Sequence, residues 1–267
     1  VINCYKKFKI KKVKAIITMY NGGYPYEVEN FSKLKKKLNC FIIEDACHAL
    51  GASYKTKGGN YKIGSCKHSD ISTFSLHPLK TITTGEGGIV TTNNKKIKDK
   101  LEILRSIGIK RIKQKHWEYD VLKYGLNFRL TDFQCALGIS QLKKIKKFIT
   151  KRKKIFNYYN NKFKKNNFLT TPSGLKYIFP SYHLYLVNLK KSNKNIKEAL
   201  IKYMLKNKII VQQHYIPIFK FKIFKGRFLG REAKKYYNTT ISLPIYYELT
   251  KKQQDLIINK LNNFFKN

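Results

Sequence analysis

Phe41-Ile42-Ile43-Glu44-Asp45 and Ile71-Ser72-Thr73-Phe74-Ser75-Leu76 are two short, largely apolar runs. Each is too short for a core helix and reads as a buried strand. Upstream, residues 11–19 end in a third apolar run and break at Asn21-Gly22-Gly23, the pattern of a buried strand followed by a turn. Between it and Phe41, residues 27–39 place Val28, Phe31 and Leu34 at helical spacing with lysines opposite. Downstream, Gly88-Ile89-Val90-Thr91-Thr92 is a fourth strand, and a helix is expected over about 94–105. Helical and strand periods in alternation, with short apolar strands, indicate an α/β fold with a mostly parallel sheet.

The second half has a different grain. Thr131-Asp132-Phe133-Gln134 is a capping box. Apolar positions from Phe133 to Ile149 then continue at helical spacing, predicting one long helix to about residue 165, basic on its outer face. After Pro172 and Pro180 come short strands (182–190, 209–216), a helix (194–207) and a terminal helix opened by the capping box Thr250-Lys251-Lys252-Gln253. The expected organisation is a large α/β domain over 1–140, a bridging helix over 141–165 and a small α+β domain over 166–267.

The chain has 267 residues, 56 Lys+Arg against 15 Asp+Glu, and a net charge of +41. A hydrophobic content of 42% is too high for a disordered polycation. No apolar run approaches the ~20 residues of a membrane span. Six arginines among those 56 basic residues argue against specific nucleic-acid recognition, which relies on arginine's bidentate fork. A solvated lysine coat is the plainer reading, and the clusters Lys143–Lys147 and Lys151–Lys154 are the best rival nucleic-acid stripe. Five scattered cysteines with no Cys-x-x-Cys pair fit reduced thiols in the cytoplasm, and no zinc site is expected.

Ligand sites in open α/β sheets lie at the carboxyl ends of the strands. Three such ends carry chemistry here. Glu44-Asp45 with Cys47-His48 follows the second strand, Ser75-Leu76-His77-Pro78-Leu79-Lys80 the third, and the Gly-rich turn Thr83-Thr84-Gly85-Glu86-Gly87-Gly88 precedes the fourth. Taken singly, each has a structural alternative: a helix cap, a solvated lysine, a plain turn.

In order and spacing, three blocks resemble the DegT/DnrJ/StrS family of pyridoxal-phosphate-dependent sugar aminotransferases. They are Ile43–Ala52 (IEDACHALGA), Phe74–Gly88 (FSLHPLKTITTGEGG) and Tyr124–Gln141 (YGLNFRLTDFQCALGISQ). Weaker likeness extends to Ser181–Tyr185 and Ser242–Pro244. The nearest branch is the pseudaminic-acid type, which aminates a UDP-4-keto-6-deoxy-N-acetylhexosamine. The resemblance implies fold type I of these enzymes, aspartate aminotransferase-like, with pyridoxal 5'-phosphate as cofactor. It implies amino transfer, from glutamate as donor, to a nucleotide-linked 4-keto-6-deoxy sugar. By the same resemblance Lys80 carries the cofactor covalently and moves the proton, Asp45 faces the pyridine nitrogen, and His48 lies beside the ring. Ser75 binds the phosphate, and Asn127 reaches the cofactor phosphate of the neighbouring subunit, which implies a homodimer with shared active sites. His183 and His214 are candidates to face the sugar nucleotide, against a structural role for both. His77 is open between turn packing and the site, and His68 reads as a surface residue.

Two departures matter. Arg105-Ser106-Ile107-Gly108 stands where the family usually has Arg-Ser-His-Gly, which bears on sugar specificity. The chain also begins where a full-length member is already under way, so the expectation is an N-terminally truncated domain whose sheet has an incomplete edge. A truncated, inactive homologue is the alternative function, and a basic nucleic-acid-binding protein a more distant one.

Overall fold

The computed structural model describes all residues except 113, 114, 174, 175, 191, 225, 227 and 267, and all side chains among them except 112 and 116. In chain order the elements begin with α1 (Ile2–Lys7), β1 (Ala15–Met19), α2 (Val28–Leu38), β2 (Phe41–Asp45), β3 (Ser53–Thr56) and β4 (Gly59–Lys62). Then come β5 (Ile71–Ser75), β6 (Gly88–Thr91), α3 (Lys95–Arg105), β7 (Ile109–Ile112), β8 (Lys115–Val121), α4 (Asp132–Lys143) and α5 (Ile145–Phe163). The chain ends with β9 (Leu169–Thr170), β10 (Ile178–Phe179), β11 (Tyr185–Leu189), α6 (Lys194–Lys206), α7 (Arg231–Thr239), β12 (Thr240–Leu243) and α8 (Lys251–Phe264).

The sheet that positions the site has the order β1-β2-β5-β6. β1–β2 and β2–β5 are parallel, and β6 returns antiparallel to β5. Met19, Asp45 and Thr73 fall in register, so the carboxyl ends of three strands align along one rim. A second sheet, β12-β11-β9, is antiparallel. One apolar cluster runs through both halves. It takes Tyr20, Ala46, Ala49 and Phe74 from the first, and Phe156, Tyr159, Tyr185, Leu200, Ile241 and Leu261 from the second. α5 is the seam: Ile155, Phe156, Tyr159 and Phe163 recur at helical spacing and are all buried.

The α/β reading with a mostly parallel sheet holds, and both capping boxes are present, at Thr131 and Thr250. Four expectations are corrected. β1 is buried on one face only, with Ile16 and Thr18 inside and Ile17 71% exposed. Only the β1–β2 crossover is helical; β2 and β5 are linked by the β3–β4 hairpin. The long helix divides at Lys144, where a tightened turn lets Ile145 and Ile149 seat on Gly51. Residues 209–216 are not a strand; one bridge, Gln212 to Ser242, pairs them with β12, and the His214 carbonyl and Tyr215 hydroxyl turn to Asn21 and His48. The sequence reading also missed α7, β12 and the β7–β8 hairpin.

Candidate active site

The alternation of β2 separates two adjacent carboxylates. Glu44 points inward and is 2% exposed; Tyr20 Oη donates to it at 2.7 Å and Ser72 Oγ donates to its other oxygen. Burial first, and then the Glu44 charge, raise the Tyr20 phenol far above its usual range. Glu44 is therefore a structural carboxylate, each oxygen accepting from one hydroxyl. Asp45 faces the opposite way, at the rim, where its Oδ1 accepts from the backbone N–H of Cys47 at 3.1 Å. Burial and then Asp45 push the Cys47 thiol up to about 11, and Lys80 opposes them. Asp45 and Lys80 also act with opposite sign on His48. The carboxylate and the amine singled out in the sequence thus address one shared space.

His48 is 2% exposed. Its Nδ1 accepts the Gly22 N–H at 3.2 Å, and its Nε2 lies 2.9 Å from the Tyr215 hydroxyl. Its ring centroid is 4.3 Å from that of His183 and 6.4 Å from that of His214, so three imidazoles gather at the site. Burial, and after it the Lys80 charge, bring His48 down to about 3, which keeps the ring neutral across the physiological range. Burial lowers His183 and His214 as well, and Lys80 adds to both. His214 Nδ1 is 2.5 Å from Ser242 Oγ, whereas His183 Nδ1 is buried with no protein partner.

The Asn21-Gly22-Gly23 turn holds these pieces together, a role the sequence reading did not give it. Gly22 O accepts from the backbone N–H groups of His183 and Leu184, at 3.0 and 3.2 Å, and Gly23 O accepts from Ser181 N at 3.2 Å. Asn21 Nδ2 donates to His214 O at 3.1 Å and Tyr236 Oη at 3.0 Å. Gly23 has φ +88°, and a Cβ there would run into Ser181 Oγ and come within 2.6 Å of His48 O. Only glycine fits that position. Arg152 closes the far side. It is 8% exposed and its Nη1 donates to the carbonyls of Ile245, His183 and Tyr182 at 3.0, 3.2 and 3.5 Å. Burial lowers its guanidinium to about 10. This residue was expected on the basic outer face of α5; it points inward.

Lys80 lies just past β5, its backbone N–H closing a turn on His77 O at 2.9 Å. Ser75 ends β5, where its Oγ accepts from His77 N at 3.4 Å. The Gly-rich turn folds back on the same segment. Thr83 Oγ1 donates to Leu76 O at 2.9 Å, and Gly85 N donates to Thr83 Oγ1 at the same distance. His77 belongs to this turn, accepting from Leu79 N at 3.2 Å and sitting 3.7 Å from exposed Glu86. His68 is not a plain surface residue: it is half-buried and its Nδ1 is 2.7 Å from Tyr54 Oη.

Asn127 stands apart from these groups. It is exposed, its Oδ1 accepts from Arg129 Nε at 2.8 Å, and its backbone bridges Ser106. Leu126 and Phe128 on either side of it in sequence, and Phe133 and Ile139 of α4, are exposed, and Phe133 is 90% so. Ile107, at the position of the family's histidine, is also exposed on this side.

The model of the DegT/DnrJ/EryC1/StrS aminotransferase family matches residues 7–262. A UDP-4-amino-4,6-dideoxy-N-acetyl-beta-L-altrosamine transaminase of Campylobacter jejuni is 38% identical over 265 residues, covering 96% of this chain and 68% of that protein. Among solved structures, Helicobacter pylori PseC, an aminotransferase of pseudaminic acid biosynthesis, superposes with TM-score 0.88 at 32% identity, covering 98% of this chain and 69% of that one. The PLP form of Streptococcus pneumoniae Spr1654, a proposed sugar aminotransferase, gives TM-score 0.80 at 25% identity, covering 95% and 68%. The chain thus spans about two thirds of the length of these relatives.

Proposed function

Because the chain belongs to the DegT/DnrJ/EryC1/StrS aminotransferase family, we propose that it serves a pyridoxal 5'-phosphate-dependent transfer of an amino group from glutamate to a nucleotide-linked 4-keto-6-deoxy sugar. The observation that carries this reading is the placement of Asp45, His48 and Lys80 at the carboxyl ends of the neighbouring parallel strands β2 and β5, where His183 and His214 gather on His48. The donor set fits the cofactor: the Lys80 amine, the Asp45 carboxylate and the flat His48 imidazole lie at the carboxyl ends of β2 and β5. The cofactor, when bound, supplies the electron sink for the carbon that loses its proton.

The chain's own residues supply the rest. Lys80 would carry the cofactor and, once the amino donor has displaced it, its free amine would move the proton between the donor's Cα and the cofactor's C4′ carbon. Asp45 holds a proton on the pyridine nitrogen. His48 packs beside the ring; because it is neutral, it adds no positive charge next to Lys80. Ser75 offers its hydroxyl to the phosphate. His183 and His214, gathered beside His48, are assigned to the acceptor sugar.

The reading extends to a homodimer in the cytoplasm. The exposed apolar side chains around Asn127 support a second copy covering that face, with Asn127 then reaching the partner's cofactor phosphate. No helix among the described residues is long and apolar enough to cross a membrane.

The test is direct. Purified protein saturated with pyridoxal 5'-phosphate should show an absorbance band that is lost in Lys80→Ala. With glutamate and a UDP-4-keto-6-deoxy-N-acetylhexosamine it should yield the aminated sugar by mass spectrometry. Absence of any Lys80-dependent band in cofactor-saturated protein overturns the reading; a band without amino transfer restricts it to an inactive homologue.

A further inference from the structure

The Tyr215 hydroxyl lies 2.9 Å from His48 Nε2 and joins two distant parts of the chain. Tyr215 follows the Gln212 bridge to the second sheet, and His48 follows β2 of the first. Nδ1 of His48 is already committed as an acceptor to the Gly22 N–H. A neutral imidazole has one acceptor nitrogen and one N–H, so the proton of His48 sits on Nε2 and is donated to the Tyr215 oxygen. The Tyr215 ring is also stacked against the His48 ring, at 5.8 Å between centroids and 29° between planes. Two independent contacts therefore fix this imidazole from the other lobe.

From this geometry we propose that Tyr215 is a positioning residue for the aminotransfer reaction. It holds the neutral His48 ring, in its Nε2–H form, beside the Asp45–Lys80 space, and it couples that ring to the lobe that carries His214 and Ser242. The proposal rests on the function argued above, since positioning has a consequence only if His48 packs against the cofactor. The bond can orient the ring because each end is anchored. Gly22 sits in a turn bonded to Ser181, His183 and Leu184, and the carbonyl of His214, next to Tyr215, is held by Asn21. The hydroxyl's own proton goes to no acceptor among the described residues and remains available to an oxygen bound in the site. Tyr215 is half exposed, and its phenol is pushed up by burial and then by Asp45 and Cys47, so it stays protonated and can serve as that donor.

The test pairs Tyr215→Phe, which removes the oxygen and keeps the ring, with two readouts. The first needs no cofactor: ¹⁵N NMR of histidine-labelled protein, with His48 assigned by its loss in His48→Gln. Wild type should show His48 protonated at Nε2 at neutral pH; Tyr215→Phe should keep that tautomer, which the Gly22 N–H fixes, but shift the His48 Nε2 resonance as its hydrogen bond is lost. The second uses the holoenzyme. Removing one hydrogen bond should lower kcat about fivefold to tenfold with KM for the amino donor within twofold, and the thermal midpoint should stay near wild type. Unchanged His48 nitrogens together with unchanged kcat overturn the proposal. If Tyr215→Phe fails to fold, wild type alone decides, because a His48 protonated at Nδ1 breaks the chain of bonds. A normal tautomer result in a protein that forms no Lys80-dependent band overturns the function and leaves the Tyr215–His48 geometry standing.

Discussion

Two polar-lined regions of this molecule are built on opposite terms. Around Gly22, His48 and Arg152 nearly every buried polar group is met by another group of the same chain, drawn from residues 20–24, 44–48, 152, 181–184 and 212–215. Around Asn127, large apolar side chains of α4 and the segment before it stand in water. In the first region the described polar groups are met within one chain, save Asn21 Oδ1 and His183 Nδ1. The second is costly as it stands: roughly 25 cal/mol of apolar burial is forgone for each Å² left uncovered. This contrast between an internally bonded cup and an uncovered apolar wall divides the expected mutational effects into two kinds.

Substitutions in the cup should act on folding. Gly23→Ala has the largest expected effect, about 4 kcal/mol, because a Cβ would strike Ser181 Oγ and His48 O while the backbone stays in the left-handed region. Urea denaturation measures it, and a loss below about 1 kcal/mol would show that the turn is not rigid. Arg152→Leu should cost about 3 kcal/mol by leaving three buried carbonyls without their donor. Arg152→Lys should recover part of that loss.

The next effect is a pH limb. His48 protonates at about 3 when folded, against 6.5 for an ordinary imidazole. Between these values the unfolded chain binds the proton and the folded one does not, so stability is complete above 6.5 and falls as pH drops toward 3. About 2 kcal/mol should be lost from this group by pH 4, allowing for relaxation of a partly wetted site. His183 and His214, lowered in the same direction, add to it. His48→Gln should flatten the acid limb of a urea-midpoint-against-pH curve; an unchanged slope would show that the His48 ring is not held neutral.

Legibility from sequence divides along the same line. The strands β2 and β5, the capping boxes and the rim residues Asp45 and Lys80 could be read because their signals are local: a short apolar run, a hydroxyl three residues before a glutamine, a charged group just past a strand. Asn21-Gly22-Gly23 read only as a turn because the groups it binds, Ser181 to Leu184 and His214, lie more than 150 residues away. Arg152 sat in a basic run on a helix, and nothing nearby in sequence marks it as the one residue of that run turned inward. Glu44 and Asp45 are neighbours with opposite fates, and only strand alternation together with a tyrosine 24 residues upstream separates them. Tyr215 carried no signal at all, since its partner is 167 positions away.

The smallest folding effect belongs to the wall, where it tests the comparison most sharply. Phe133 opens α4 and is 90% exposed. Phe133→Asp removes no contact of the protomer's core and keeps an acidic group in the first turn of a helix, where it is favourable. The protomer's own stability should therefore stay within about 0.5 kcal/mol of wild type. The oligomer should not survive so easily, because an unpaired carboxylate buried between two apolar faces costs several kcal/mol. Light scattering with size exclusion should report a dimer for wild type and a monomer for the variant at micromolar concentration. With Asn127 withdrawn from the neighbouring site, the variant should also hold pyridoxal 5'-phosphate more weakly. A wild type that is monomeric throughout would leave the wall to some other partner and confine the active site to one chain.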